Sequence, residues 1–420
     1  MEIPEDHRAR VQTVVICLFS GGGGIDHVIE DLFPESQIHH VQSFETDARC
    51  RAILRRRGSK RRIFLSGAAD RNGDVGSVLH LIEDPGSIHS LLSQFPNLKV
   101  VIVSTGSPCQ GFSQANPKPK GILDHRSCLA AAIPVIIRRI YDFKQAQAHH
   151  LRIFSVCENV VMRSRDKKIM NHLLGSEPIT IHNGDLSCQD RSRMYWLNFQ
   201  VDQPEPIQVD PSSILEPGWA PLWDLVQSKD SKKKFITQVR PFPPNLPEEC
   251  PVSWWRFPLS SYGIRGLVYN TSSDRLEEIK DRVRQGIELS PSQDLRDKDR
   301  GSDAINRRLA LAQWIHREGG HQHLRPLTIQ ESSRAMGYQP DAFILPEDRP
   351  ESSEDPFIYA QFNVIGNAFA VQSLKHIFRR LSGAFGFDQD LPIEQDLSNL
   401  PASDAEICTI LESSLSKSDR

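Results

Sequence analysis

The sequence has no C-x-x-C pair, and its eight cysteines are scattered. That spacing excludes a disulfide framework or a structural zinc ribbon and points to a reducing compartment. There is no apolar run near the ~18 residues a membrane helix requires. The opening residues, MEIPEDHRARVQ, are charged and lack the apolar core of a secretory signal. Neither sign of charge dominates: 50 Lys and Arg against 53 Asp and Glu give a net charge of −3. Any nucleic-acid binding must therefore use local basic patches. There is no internal repeat, and nothing near the His321/His323 pair completes a metal site. What remains is an ordinary soluble composition, 39% hydrophobic and 25% charged, over 420 residues. That is enough chain for one large and one smaller domain.

The rest of the chain is organised around Ser104–Asn116, STGSPCQGFSQAN. Four β-branched residues, Val100 to Val103, precede it and read as a buried strand of a parallel sheet. The strand breaks at Gly106-Ser107-Pro108, and Cys109 stands at the exit. Open α/β sheets bind ligands beyond the carboxyl ends of their strands, so Cys109 is a candidate nucleophile. The alternative is a buried thiol acting as a small hydrophobe.

Other segments repeat this pattern. Val14–Phe19 reads as a strand, Ser20–Gly24 as a glycine loop and Ile25–Leu32 as a helix. This order opens a nucleotide-type site, although a glycine run also makes a plain tight turn. A second strand, His40–Phe44, ends at Glu45, where a carboxylate can hold ribose hydroxyls. The loop does not read G-x-G-x-x-G, which favours an adenosine-containing cofactor without a pyrophosphate. Arg49–Arg62 is the densest basic run and reads as a solvated helix face plus turn ahead of a nucleic-acid contact. Asp74, in an Asn-Gly-Asp turn, could accept a hydrogen bond from an amino group. Leu129–Phe143 reads as a helix, and Ile153–Cys157 as a strand ending at Glu158. Glu158 would face the same rim as Cys109, or stand as a solvated loop residue. Ile179–His182 and Met194–Asn198 read as a β pair, with Arg191 and Arg193 between them, one of which can face a site while the other anchors structure. Gln200–Leu324 is proline-rich early and carries Lys232–Lys234 and Trp254-Trp255. Arg307–Arg317 reads as an amphipathic helix, Thr328–Met336 as a helix with a capping box, and Phe369–Leu381 as a further helix.

Taken in order, F-x-G-x-G-G (Phe19–Gly24), S-P-C-Q (Ser107–Gln110), E-N-V (Glu158–Val160) and Q-x-R-x-R (Gln189–Arg193) form a series. It continues with R-P-L-T-x-x-E-x-x-R-x-x-G-Y (Arg325–Tyr338) and G-N-A (Gly366–Ala368). The series resembles the DNA cytosine-5 methyltransferases. The SPC…KG run to Gly121, FSVCENVVM from Phe154 and DRSRMYWLN to Asn198 are most similar to the eukaryotic de novo branch, the third DNA methyltransferase class. This chain keeps P-C-Q where that branch usually has P-C-N.

The resemblance implies an α/β Rossmann-like S-adenosylmethionine-dependent methyltransferase sheet with helices on both faces, plus a smaller irregular target-recognition domain. It implies a catalytic domain over 11–200, target recognition over 201–324, a return to the catalytic domain over 325–385 and an acidic, flexible tail over 386–420. Cys109 would add to carbon 6 of a flipped-out cytosine. Glu158 would act at ring nitrogen 3, Arg193 at the base carbonyl, and Arg191 would brace the loop. Phe19, Gly21, Gly23, Glu45, Asp74, Pro108 and Asn367 would form the S-adenosylmethionine site, with S-adenosylhomocysteine as product and no metal. The implied partners are double-stranded DNA and a further copy or a regulatory protein, without a membrane. The implied location is the nucleus in a eukaryote and the cytoplasm otherwise. A transfer-RNA cytosine-5 methyltransferase and a non-catalytic regulatory paralogue are the alternatives. The C-F-T of the transfer-RNA enzymes is absent here.

Overall fold

The computed structural model describes residues 3–58, 63–113, 116, 118–207, 209–221, 239–241, 253–256, 267–281, 322–345 and 364–416. The Lys232–Lys234 run, the Arg307–Arg317 helix and His321 lie outside them. The strands are β1 Thr13–Leu18, β2 His39–Phe44, β3 Ile63–Leu65, β4 Val100–Gly106, β5 Arg152–Val160, β6 Ile179–His182, β7 Gln189–Asp190, β8 Ser192–Leu197, β9 Trp219–Pro221, β10 Val239–Pro241, β11 Ser253–Arg256, β12 Leu267–Asn270 and β13 Leu324–Pro326. The chain divides into two compact units, 1–182 with 192–204 and 368–420, and 183–191 with 205–367. The chain re-enters the first unit at Ala368 instead of 325, because the Arg325–Tyr338 run is built into the second unit's own sheet and core.

The first unit is a seven-stranded sheet in the order β3-β2-β1-β4-β5-β8-β6. The pairings from β3 through β5 are parallel. β8 is antiparallel to both β5 and β6, so it alone is reversed. The strand order turns back on itself between β1 and β4, and at such a switch point the strand ends leave a crevice for a ligand. All six residues of β1 are buried, as expected for a central strand covered on both faces. The helix read at Leu129–Phe143 begins later: Ser127–Ala131 is a 3₁₀ turn and the α-helix spans Ala132–Gln147. Pro134 accounts for the shift, since a residue without an N–H fits the first helical turn and not the interior.

The sequence ends meet in this unit. Helix Val371–Arg379 packs on helix Gly24–Leu32, with an ion pair between Lys375 and Asp31. Phe33 stacks on Phe385 at 4.2 Å. Residues 386–416 are not the loose tail expected from their acidity. Leu397, Leu400 and Ile407 are buried in the main core. The Glu394 carboxylate accepts the Ile153 N–H at 2.6 Å and pairs with Lys144 at 2.5 Å. The tail's charge is spent on capping the start of β5.

The second unit holds two three-stranded sheets, β10-β11-β7 and β13-β12-β9. Its small core contains Cys188, Ile214, Val268, Leu327 and Ala335. Thr328 and Glu331 form the expected capping box at helix Ile329–Ala335. The fully buried Glu331 also receives Arg325 at 2.7 and 2.8 Å. Arg325 in turn lies 4.0 Å over the Trp219 ring. No helix among the described residues is long and apolar enough to cross a membrane.

Candidate active site

At the end of β1 the chain turns sharply. Phe19 has φ +57°, the only positive φ at a non-glycine position among the described residues, and Gly21 and Gly23 follow with φ +54° and +80°. A bulky residue held there costs on the order of 1 kcal/mol, which is typical of turns at functional sites. The turn is tied to β2. Ser20 N–H donates to Phe44 O at 3.0 Å, and Gly21 N–H donates to Glu45 Oε2 at 2.7 Å. Glu45 Oε1 accepts the Asp47 N–H at 2.8 Å. Burial pushes the Glu45 carboxyl above the ordinary carboxylate range, against the pull of these backbone donors.

Two arginines of the basic run brace this end of the sheet. Arg57 Nη1 donates to Gly22 O at 2.9 Å and Gly23 O at 2.7 Å. Arg51 Nη1 donates to the carbonyls of Glu45, Ser66 and Val75 at 2.8, 3.1 and 3.2 Å. Reading the run as a solvated face missed both. The signal was the spacing: Cys50, Ile53 and Leu54 are the buried stripe of helix Ala48–Gly58, and Arg57 continues it. A side chain at Gly23 would approach Asp26 Oδ2 to 2.9 Å and Arg57 Nη1 to 3.0 Å, so the position requires glycine twice over. A Cβ at Gly21 would meet nothing within 4 Å. Asp74 is exposed in a turn, and its N–H donates to Asp70 Oδ1 at 2.9 Å. Asp70, which sequence reading passed over, organises that turn by also accepting the Asn72 N–H at 2.9 Å.

These residues fit an adenosine-type cofactor. A carboxylate offers about four lone-pair sites. The two backbone N–H donors leave Glu45 acceptor capacity for a pair of ribose hydroxyls, beside the open space at Gly21.

The neighbouring strand tips carry the reactive groups. Leu18 on β1 is level with Thr105 on β4, and Gly106 on β4 is level with Glu158 on β5. On the far side of β5, Val160 is level with Arg193 on β8. Arg193 Nε therefore meets Glu158 Oε1 at 2.8 Å, with the two side chains 15% and 11% exposed. Phe369 covers the β4 tip: a Cβ at Gly106 would come within 2.6 Å of its ring and 3.3 Å of Glu158 Oε2.

Cys109 is half-buried three residues beyond Gly106. Its carbonyl accepts the Phe112 and Ser113 N–H groups at 3.0 and 2.9 Å, closing a tight turn. Two side chains fix that turn. The buried Asn159 amide donates to Ser107 Oγ at 3.0 Å. Ser127 Oγ donates to Pro108 O at 3.1 Å and accepts the Gly111 N–H at 2.9 Å, bracketing the cysteine. Pro108 thus acts in the Cys109 turn through its carbonyl.

Burial sorts the thiols. It pushes Cys157 and Cys188 up to about 12 and Cys17 and Cys50 well above their usual range, which leaves these four protonated and inert near neutrality. Cys109 is the half-buried thiol at a strand tip beside a paired carboxylate.

Arg191 belongs to the second unit, where it is buried and donates to Gly366 O at 3.2 Å. Asn367 is exposed at the last position of that unit. The structure therefore brings together Phe19, Gly21, Gly23 and Glu45 at one end of the switch point. It brings together Pro108, Cys109, Glu158 and Arg193 at the next strand tips.

A family model described as C-5 cytosine-specific DNA methylase matches residues 186–383, a stretch that includes Arg191, Arg193 and Asn367. Among solved structures, a triple variant of Spodoptera frugiperda DNMT2 is 11% identical, with 90% of this chain and 100% of that chain covered at a TM-score of 0.47. The Entamoeba histolytica methyltransferase EhMeth is 14% identical, with 88% and 99% covered at 0.43. The S. pombe Dnmt2 methyltransferase is 13% identical, with 89% and 99% covered at 0.43. The seven-stranded α/β sheet, with its strand order reversing between β1 and β4, is Rossmann-like.

Proposed function

We propose that this chain is a cytosine-5 methyltransferase of the C-5 cytosine-specific DNA methylase family, transferring a methyl group to carbon 5 of a cytosine in duplex DNA. The observation that carries the reading is the Glu158–Arg193 pair, 2.8 Å apart and nearly buried, one strand away from the Cys109 turn.

Carbon 5 of cytosine is a poor nucleophile. When the Cys109 sulfur adds to carbon 6, electron density moves to carbon 5, which can then take a methyl group. The Glu158 carboxyl stabilises the adduct by hydrogen bonding or protonating ring nitrogen 3. Arg193 holds Glu158 in place and is the donor for the base carbonyl. Cytosine and thymine differ at position 4 and ring nitrogen 3, so a carboxyl group aimed at that edge separates them. S-adenosylmethionine, when bound, supplies an electrophilic methyl group. Phe19, Gly21 and Gly23 would shape the turn that holds it, and Glu45 would accept its ribose hydroxyls. Water then takes up the carbon-5 proton, and the electron pair left behind expels the Cys109 sulfur as a thiolate. The base must come out of the duplex to reach these groups, at a cost of a few kcal/mol.

The runs through Ser107–Gly121 and Phe154–Ile169 favour the eukaryotic de novo branch, and with it a nuclear location. The test is methyl transfer from labelled S-adenosylmethionine to duplex DNA and, in parallel, to transfer RNA, with wild type and Cys109→Ala. Label on DNA cytosine, absent in the variant, is the expected result. Label on transfer RNA alone would move the substrate to RNA. Label on neither, in protein that binds the cofactor, would overturn the reading in favour of a non-catalytic paralogue.

A further inference from the structure

A net charge of −3 leaves nucleic-acid binding to local patches. In the densest basic run, Arg51 and Arg57 donate to backbone carbonyls around the glycine turn. A different basic group lies where two segments meet beyond the tips of β4 and β5. The first segment follows the Cys109 turn and carries Lys118 and Lys120, both exposed. The second follows Glu158 and carries Arg163 and Arg165, also exposed, at the start of helix Ser164–Leu174. The two segments are locked together. Gly121 packs so tightly that a Cβ there would overlap the Asp166 carboxylate, and that carboxylate accepts the Ile122 N–H. Gly121 N–H donates in turn to Gly111 O of the cysteine turn at 2.9 Å. Lys120 and Arg165 are thus the chain neighbours of a contact pair that is itself tied to the Cys109 turn.

The helix keeps its cations outward. Asp166, Ile169, Met170 and Leu173 form its buried stripe, and helix Asp404–Ser416 packs against it. Lys168 is exposed three residues beyond Arg165, on the same side of the helix. Lys167, by contrast, is paired with Glu177 at 3.0 Å. None of Lys118, Lys120, Arg163, Arg165 and Lys168 has an ion-pair partner among the described residues. The nearby carboxylates do not offset them: Asp166 is buried, Asp124 is held by Arg126 at 3.0 and 3.1 Å, and Glu158 is held by Arg193.

We propose that Lys118, Lys120, Arg163, Arg165 and Lys168 form a phosphate-binding surface for duplex DNA, holding the backbone beside the extruded cytosine. The inference rests on the reading of Cys109 and Glu158 as the cytosine site. Duplex DNA presents a dense row of phosphates, and cations that engage it release the counterions condensed there. These five side chains can do so without first giving up a carboxylate. Phosphate contacts carry no sequence information, but they fix register and orientation. Here they would hold the strand while one base leaves the stack, on a surface joined by hydrogen bonds to the turn that receives it.

The test is the salt dependence of binding to a short fluorescent DNA duplex, read by anisotropy with the full chain. Each phosphate contact contributes about 0.9 to the slope of log affinity against log salt. The double variant Arg163→Gln/Arg165→Gln should therefore lower the slope by about 1.8 and weaken binding about ten- to sixtyfold at ~0.1 M salt. Lys118→Gln/Lys120→Gln should lower the slope by a similar step. Arg163→Lys/Arg165→Lys, which keeps the charge, should retain most of it. The control pair Arg379→Gln/Arg380→Gln removes the same charge from the exposed end of helix Val371–Arg379 and should leave the slope unchanged. All of these side chains are exposed, so the variants should melt as the wild type does. A wild-type slope in Arg163→Gln/Arg165→Gln would overturn the proposal. So would an equal loss in the control pair, which marks a general effect of net charge. Either result would leave methyl transfer to DNA standing. Failure of the wild type to bind the duplex at all would overturn the proposal together with DNA as the substrate.

Discussion

Glu158→Gln is the substitution that most directly separates the chemistry proposed here from simple architecture. The glutamine amide has nearly the shape of the carboxylate, and its oxygen can still accept from Arg193 Nε, now 2.8 Å from Glu158 Oε1. What disappears is the charge and the proton that a carboxyl group can carry. Replacing a charge-assisted hydrogen bond by a neutral one in a site this enclosed should cost about 1–2 kcal/mol of stability. That is a moderate fall in melting temperature. The loss of acid catalysis at ring nitrogen 3 should be larger, about 10²–10⁴ in the rate of methyl transfer. Cofactor binding should not follow it, because the groups read as holding ribose lie on β1 and β2, with Glu45 bound to the backbone of Gly21 and Asp47. The assay is single-turnover transfer of labelled methyl groups, with a thermal-shift titration of S-adenosylmethionine alongside. Transfer within about tenfold of wild type would refute the role given to Glu158. Parallel loss of cofactor binding would mean that the pair supports the fold of the strand tips rather than the reaction.

Ionised Glu45 is the form that accepts ribose hydroxyls, and burial raises its carboxyl above the ordinary range. Cofactor affinity should therefore begin to fall with decreasing pH while still above the usual glutamate range, and Glu45→Gln should bind weakly with that dependence gone, as isothermal titration would read. His40 is buried among His7, Phe64 and Phe95, and burial lowers it from 6.5 to about 3. Its stabilising contribution is complete above 6.5. It is lost as pH falls, because the unfolded chain takes up a proton that the folded ring refuses. By pH 3 the loss approaches about 4–5 kcal/mol, and His40→Phe should flatten the acid limb of a denaturation series. Gly111→Ala should destabilise the chain by about 1–3 kcal/mol and slow methyl transfer further, since its Cβ would fall 2.5 Å from both Asp124 Cβ and Gly121 O and force the cysteine turn to move.

The parts of the site that the sequence announced are those set by short-range rules. A β-branched run broken at Gly106-Ser107-Pro108 marked β4, an apolar run ending at Glu158 marked β5, and both strand ends carried the reactive residues. The capping box at Thr328 was equally legible, because its chemistry closes within four residues. What stayed hidden depends on contacts far apart in sequence. Arg51 and Arg57 look like solvent-facing charge until the carbonyls of Glu45, Ser66, Val75, Gly22 and Gly23 converge on them. Phe369 reaches the β4 tip only because the chain returns to the first unit at Ala368. The acidic tail misled for the same reason: composition reads Glu394 as solvated, whereas a free backbone N–H at Ile153 and the nearby Lys144 give it a buried use.

The arrangement also explains how a half-buried thiol is held beside a nearly buried ion pair. Glu158 and Arg193 come from adjacent strands of one sheet, and the Cys109 turn leaves the next strand, so hydrogen-bond register fixes the spacing of the carboxylate and the arginine. The remaining freedom lies in the turn beyond Gly106, where no ladder operates. There the chain substitutes side chains for register: Asn159 on one flank, Ser127 on the other, and Gly111 left without a side chain so that Asp124 can close against it. A nucleophile held in this way can remain half-open to an incoming base while its backbone is as constrained as that of the strands beneath it. Loss of the Asn159 or Ser127 brace should therefore reduce turnover before it reduces stability, because the sheet that carries the fold does not depend on those contacts.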